Sequence, residues 1–255
     1  MDNEKIRYFA SMILNSQSTV FFGGAGVSTE SGVKDYRSED GLYNTVKQYG
    51  VPPEVILSHS FFKSHPDTFY DFYYKFFLQT RAEPNHAHTV LAELERRGLL
   101  DAVITQNIDG LHQAAGSKNV IELHGTVYRY HCSKCGREYP MQEVINCEGK
   151  VPKCESCGGN IKPDVVLYEE PLDDGTVTRA VRAIANADLM IIGGTSLAVY
   201  PAAGLLRYFR GKNIVLINRD ETNYDDRADL IFRDKIGEVM SAVRENIDRE
   251  QSQQA

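Results

Sequence analysis

Six short apolar runs, each near a stretch of helical periodicity, constrain this chain more than any other feature. They fall at residues 19–22, 102–105, 120–123, 188–193, 213–217 and 229–232. Runs of this length without polar alternation read as strands covered on both faces, the condition of a parallel sheet in an α/β protein. Between them Ile6, Phe9, Ile13 and Leu14 recur at helical spacing. Asn85 is placed to cap a helix that Gly98 stops, and Pro201 opens another that Gly211 closes. The predicted fold class is therefore α/β, with helices on both faces of the sheet.

Two stretches break the alternation. Residues 33–79 are rich in aromatics, and residues 128–163 hold all five cysteines. Both read as insertions that together form a small helical and zinc-ribbon domain, leaving residues 1–32, 80–127 and 164–248 as a discontinuous large domain. The polar end, 249–255, has nothing to bury and is expected to fray. At 255 residues, 42% hydrophobic and 25% charged, the chain has ample material for a core. Lys and Arg number 28 against 35 Asp and Glu, a net charge of -7. That balance argues against a nucleic-acid partner and favours a cationic peptide. No basic start followed by an apolar run marks an export signal, and Leu189-Met190-Ile191-Ile192 is cut short by Gly193-Gly194. The expectation is a cytoplasmic monomer without membrane contact.

Cys132 and Cys135 form one CxxC pair and Cys154 and Cys157 another, with 18 residues between them. That spacing suits a four-thiolate zinc site, closed to water and so structural; free or redox thiols are the alternative. Cys147 lies between the pairs as a spare thiol.

The first apolar run leads into Gly23-Gly24-Ala25-Gly26-Val27-Ser28. A turn of this kind either cradles a pyrophosphate with backbone amides or merely lets a helix approach a strand. It lacks the third glycine of the dinucleotide fingerprint, since Thr29 stands there, and the chain has no P-loop. Polar groups also follow other strands: Gln106-Asn107-Ile108-Asp109, His124, Gly194-Thr195-Ser196 and Asn218. Together, beyond the carboxyl ends of strands, they suggest a ligand with several hydroxyls.

These motifs, in this order from about Val20 to Val239, resemble the sirtuins, the NAD-dependent protein lysine deacylases. The matching stretches are 24–28, 31–37, 105–112, His124-Gly125, the two CxxC pairs, 194–197 and Asn218. The resemblance implies a Rossmann-like NAD-binding domain, a small zinc domain and a cleft between them that takes an acylated lysine as an added strand. It implies phosphate contacts from Gly24, Ala25, Gly26 and Ser28, and a cofactor loop bearing Asp35, Tyr36 and Arg37. It implies a nicotinamide-ribose pocket of Gln106, Asn107, Ile108 and Asp109, with Gly194, Thr195, Ser196, Asn218, Lys235 and Ile236 completing the cofactor contacts. His124 matches the family's catalytic base, acting with Asn107 and Asp109, and the products implied are nicotinamide, the free lysine and O-acyl-ADP-ribose. The other histidines, His88 and His112 among them, are read as structural or exposed.

Val165, Val166, Leu167 and Tyr168 look like the substrate-binding strand. Glu169 follows where the family usually has glycine, and Lys34 and Tyr36 stand where proline and phenylalanine are usual. Tyr70 stands where sirtuins that remove succinyl carry a tyrosine, and Tyr73 where they carry an arginine, which implies a preference for neutral acyl groups. The competing functions are mono-ADP-ribosyl transfer to protein and a non-catalytic NAD or ADP-ribose module.

Overall fold

The computed structural model describes residues 2–33, 46–79 and 82–254. In chain order its strands are β1 (Thr19–Gly23), β2 (Ala102–Thr105), β3 (Val120–Glu122), β4 (Gly125–Cys132), β5 (Glu138–Pro140), β6 (Ile161–Val165), β7 (Leu189–Gly193), β8 (Asn213–Ile217) and β9 (Leu230–Phe232). Six of them form one parallel sheet in the order β3-β2-β1-β7-β8-β9. The six apolar runs of the sequence are these six strands, matched to within a residue at each end.

Every residue of β1, β2 and β7 is buried. The reason is visible in the alternation of side chains along each strand. Phe21, Val103, Ile191 and Val215 face one layer, packed with Phe9, Ile13, Leu91, Leu94, Val239 and Val243 from the helices Asn3–Asn15, His86–Arg96 and Ile236–Gln254. Val20, Phe22, Ile104, Ile192 and Leu216 face the other, against Ala180 and Ile184 of the helix Asp174–Asn186 and against Leu205 and Leu206 of the 3-10 helix Ala202–Tyr208. Burying each such side chain contributes about 1.5–3 kcal/mol. Asp188 ties the helix Asn3–Asn15 and β1 to β7, its carboxylate accepting from the Ser16 hydroxyl and from the amides of Gln17 and Ser18.

The remaining strands form an antiparallel sheet, β5-β4-β6. Phe62, Phe69, Tyr70 and Tyr73 of the helices His59–Ser64 and Pro66–Tyr73 share a core with Tyr130, Tyr139 and Ile161 of this sheet. The two aromatic- and cysteine-rich stretches thus pack on each other. β4 begins at Gly125 and β6 ends at Val165, so both strands cross the boundaries expected at 127/128 and 163/164.

The C-terminal helix does not stop at residue 248 but continues to Gln254. Arg97 holds the extension, donating to Asp248 at 2.7 Å and to Gln251 at 2.6 Å, an anchor 151 and 154 positions away that local composition does not reveal. Among the described residues no helix is long and apolar enough to cross a membrane.

Candidate active site

The strand order reverses between β1 and β7, which opens a crevice beyond their carboxyl ends. The turn after β1 and the turn after β7 meet there. The Gly26 amide donates to the Gly194 carbonyl at 2.8 Å, and a Cβ on Gly26 would lie 2.7 Å from the Gly194 Cα, so this approach requires glycine. The amides of Val27 and Ser28 donate to the Gly24 and Ala25 carbonyls, closing the 3-10 turn Ala25–Val27. The Gly24 amide donates to the Gly193 carbonyl, so three of the four residues expected to contact phosphate, Gly24, Gly26 and Ser28, have their amides engaged within the protein. The glycines still serve the second role read from the sequence, close approach.

Ser28, fully buried, is the centre of the polar network below this turn. Its hydroxyl donates to Asp109 Oδ2 at 2.7 Å and accepts from Asn107 Nδ2 at 3.0 Å. His88 Nε2 approaches the same oxygen at 3.5 Å. Because the Asn85 amide donates to His88 Nδ1, the imidazole proton sits on Nε2, facing Ser28. The other oxygen of Asp109 accepts from the Leu111 amide. Burial pushes His88 down to about 4 and His112, packed edge-on against it, down to about 3, so both are neutral. His88, read from the sequence as a structural histidine, belongs to this site; the signal that points to it is the Asn85-to-His88 spacing of a capping box at the helix His86–Arg96.

His124 follows β3 and directly precedes β4. Its Nδ1 lies 2.8 Å from the Gln106 carbonyl oxygen. A carbonyl only accepts, so Nδ1 carries the proton and Nε2 keeps its lone pair. Burial lowers the pKa of this histidine, an effect the hydrogen bond to Gln106 partly counters, and so at pH 7 the imidazole is in its neutral, base form. The Gln106 side chain donates to Thr195 Oγ1 at 3.0 Å, joining the β2 and β7 turns, and Ser196 is exposed on the second of these. Ile108 packs against the small sheet's core, and its carbonyl accepts from Val127. Asn218, at the end of β8, donates to the Asp220 carbonyl. Lys235 pairs with Glu238, while the Ile236 side chain is buried in the core. Asp35, Tyr36 and Arg37, with Lys34, lie outside the described residues.

Residues 165–168 run beside His124. Val165 pairs with Gly125, and the Val166 amide donates to the His124 carbonyl at 2.9 Å. Val165 and Leu167 point into the core while Tyr168 is about half exposed. Tyr70 and Tyr73 are fully buried in the aromatic core: the Tyr70 hydroxyl donates to the Ile161 carbonyl, and Tyr73 stacks between Phe69 and Phe77.

The sulfur atoms of Cys132, Cys135, Cys154 and Cys157 lie within 4.8 Å of one another, with Cys132 and Cys157 at 3.5 Å and Cys135 and Cys154 at 3.7 Å. Zn–S bonds of about 2.3 Å in a tetrahedron require sulfurs about 3.8 Å apart, so the four thiols fit zinc. Gly159 admits the cluster, since a Cβ there would meet Cys132 Sγ at 2.9 Å. Cys147 stands apart, donating to the Glu143 carbonyl.

The Sir2 family model matches residues 24–201, which span the glycine turn, the Gln106 to Asp109 loop, His124 and both cysteine pairs. An NAD-dependent protein deacetylase of Clostridium acetobutylicum is 54% identical over 240 residues, covering 94% of this chain and 98% of its own. A Sir2 structure holding a deacetylated p53 peptide and 3'-O-acetyl ADP-ribose aligns with a TM-score of 0.85 at 39% identity, over 94% of this chain and 97% of its own. A second, bound to a propionylated peptide, aligns with a TM-score of 0.84 at 40% identity, over 94% and 98%. The site motifs, the fold and relatives spanning nearly the whole length agree, and the chain belongs to the Sir2 family.

Proposed function

We propose that this chain is an NAD-dependent protein lysine deacetylase that accepts acetyl and other neutral acyl groups. The observation that carries the reading is the tautomer of His124: the Gln106 carbonyl fixes the proton on Nδ1 and leaves Nε2 as a base. NAD supplies the electrophilic ribose carbon and, with nicotinamide, the leaving group. The glycine turn and Ser28, Gln106, Asn107, Ile108 and Asp109 would hold it, with Thr195, Ser196, Asn218 and Lys235 toward its far end and residues 34–37 above. Ser28 uses its single proton on Asp109, so Asn107 is held by its amide and keeps its carbonyl oxygen for a ligand. His124 Nε2 takes up the proton released as the acyl group passes to the ribose hydroxyls. Residues 165–168 present the backbone edge on which an acyl-lysine peptide pairs as an added strand.

Zinc bound to Cys132, Cys135, Cys154 and Cys157 has no open position and serves the small domain's structure. We read residues 33–79 and 128–163 as the body of that domain, with β4 and β6 extending it to Gly125 and Val165, and the protein as a cytoplasmic monomer with no nucleic-acid partner. The test is to mix protein, NAD and an acetyl-lysine peptide and to resolve the products by mass. Nicotinamide, free-lysine peptide and O-acetyl-ADP-ribose in equal amounts are expected. ADP-ribosylated protein, or no turnover, would overturn the reading in favour of transfer or of a binding module.

A further inference from the structure

Three consecutive residues at the end of the substrate segment grip three consecutive residues of the helical insertion. Tyr168 forms a parallel bridge with Ser58, its amide donating to the Leu57 carbonyl and its carbonyl accepting from the His59 amide. Glu169 receives Ser60 twice, the amide on Oε2 and the hydroxyl on Oε1, each at 2.9 Å. Glu170 lies 2.7 Å from His59 Nδ1 and also accepts from Lys162 and from the Leu167 amide. The middle residue is the telling one. Glu169 holds a φ of +74°, a left-handed backbone in which an L side chain is strained and glycine is not. The strained residue is the one whose carboxylate makes both bonds to Ser60.

We propose that Glu169 is a positioning residue for the peptide: by fastening the helix His59–Ser64 to the end of segment 165–168, it fixes the edge on which the acyl-lysine peptide pairs. This rests on the reading of residues 165–168 as the peptide's partner. The carboxylate is exposed and occupied by Ser60, so it acts on the peptide through the segment. Loosening the fastening frees the segment without touching His124 or the nicotinamide pocket.

The test compares Glu169→Gly, Glu169→Gln and Ser60→Ala with the native protein. In Glu169→Gly the KM for an acetyl-lysine peptide is expected to rise about fivefold, the scale of one ordinary hydrogen bond lost, since the Tyr168 and Glu170 contacts remain. Its kcat and the KM for NAD stay within about twofold, since no contact with either is removed. The melting temperature does not fall, because glycine relieves the left-handed strain, so a purely structural role would leave peptide KM unmoved. Glu169→Gln, which still accepts from the Ser60 amide, restores most of the loss, and Ser60→Ala reproduces part of it. Hydrogen exchange of the Ser60 amide reads the fastening directly and should quicken in Glu169→Gly. Unchanged exchange, or unchanged peptide KM with faster exchange, overturns the proposal. A peptide N-methylated beside its acyl-lysine separates the two readings. If methylation costs the native protein affinity while Glu169→Gly leaves KM alone, only the proposal falls; if methylation costs nothing, the strand reading has failed and the proposal falls with it.

Discussion

At the scale of single residues, chemistry in this site is set by which atom carries a proton. His124 is neutral with its proton on Nδ1, and desolvation has lowered its pKa below the ordinary 6.5. On the proposed reading His124 is the base, and a base works when deprotonated, so a lowered pKa keeps it working at lower pH. The acid limb of kcat/KM should therefore lie below pH 6.5, and His124→Ala should reduce kcat by at least about a hundredfold with NAD affinity little changed. A pH–rate profile and an NAD titration of the variant measure both. Acyl selectivity follows from the charges nearby. The Tyr70 hydroxyl is bound to Ile161, Tyr73 is an uncharged phenol, and Lys75 pairs with Asp71 at 2.8 Å. On the proposed reading, a buried succinyl carboxylate would meet no cation from the helix Pro66–Tyr73 and would lose several kcal/mol. Matched acetyl- and succinyl-lysine peptides should differ at least about tenfold in kcat/KM in favour of acetyl. The four cysteines were legible from their paired spacing, whereas His124, Asn107 and Asp109 were singled out by the resemblance of their motifs to those of the sirtuins. His88 was not, because its partner Ser28 lies 60 positions earlier and only the folded chain brings them together.

Elements carry the site by their ends, and Asn85 shows how one cap does two tasks. Its side-chain oxygen accepts from the Ala87 amide and starts the helix His86–Arg96, while its Nδ2 donates to the Val27 carbonyl at 2.7 Å and to the Ser31 hydroxyl at 3.0 Å. The cap thus holds the glycine turn and, through His88 in the first turn of the helix, faces Ser28. Asn85→Ala should cost about 1–2 kcal/mol of stability, as loss of an N-cap does. Unlike a remote cap, it should also raise the KM for NAD. Denaturant unfolding and NAD kinetics on the variant check the two effects, and a stability loss with unaltered NAD kinetics would confine Asn85 to capping. The strands were readable because each is a short apolar run covered on both sides, and the cap because asparagine precedes a periodic segment that ends at Gly98. β4 was harder. Its eight residues alternate imperfectly, with Tyr128 and Arg129 both exposed, because the strand leaves the large domain at Gly125 and its pairing with β6 shifts register before Tyr130. The end of the last helix was hidden for another reason, its hold by Arg97 across the fold.

For the molecule as a whole, the consequence lies in how the zinc cluster and the cleft share two strands. β4 starts at Gly125, next to His124, and ends at Cys132, one of the four cysteines proposed to hold zinc. β6 starts at Ile161, paired with Cys132, and ends at Val165, where the proposed substrate segment begins. The cluster therefore closes one end of a strand pair whose other end is the proposed peptide site. The parallel sheet has its own two-layered core and does not depend on the thiolates. Structural zinc contributes folding energy directly, about 10 kcal/mol or more in small zinc domains, so its removal should release β4 to β6 and leave the sheet folded. Stripping the metal with a strong chelator, or Cys154→Ala, should abolish binding of an acyl-lysine peptide and split a single denaturation into two transitions. The later transition belongs to the parallel sheet. Hydrogen exchange locates the effect: amides of 125–132 and 161–168 should lose protection while those of β1, β2 and β7 keep it. A zinc-free protein with native protection in 161–168 and unchanged peptide binding would show that the small sheet stands without its metal.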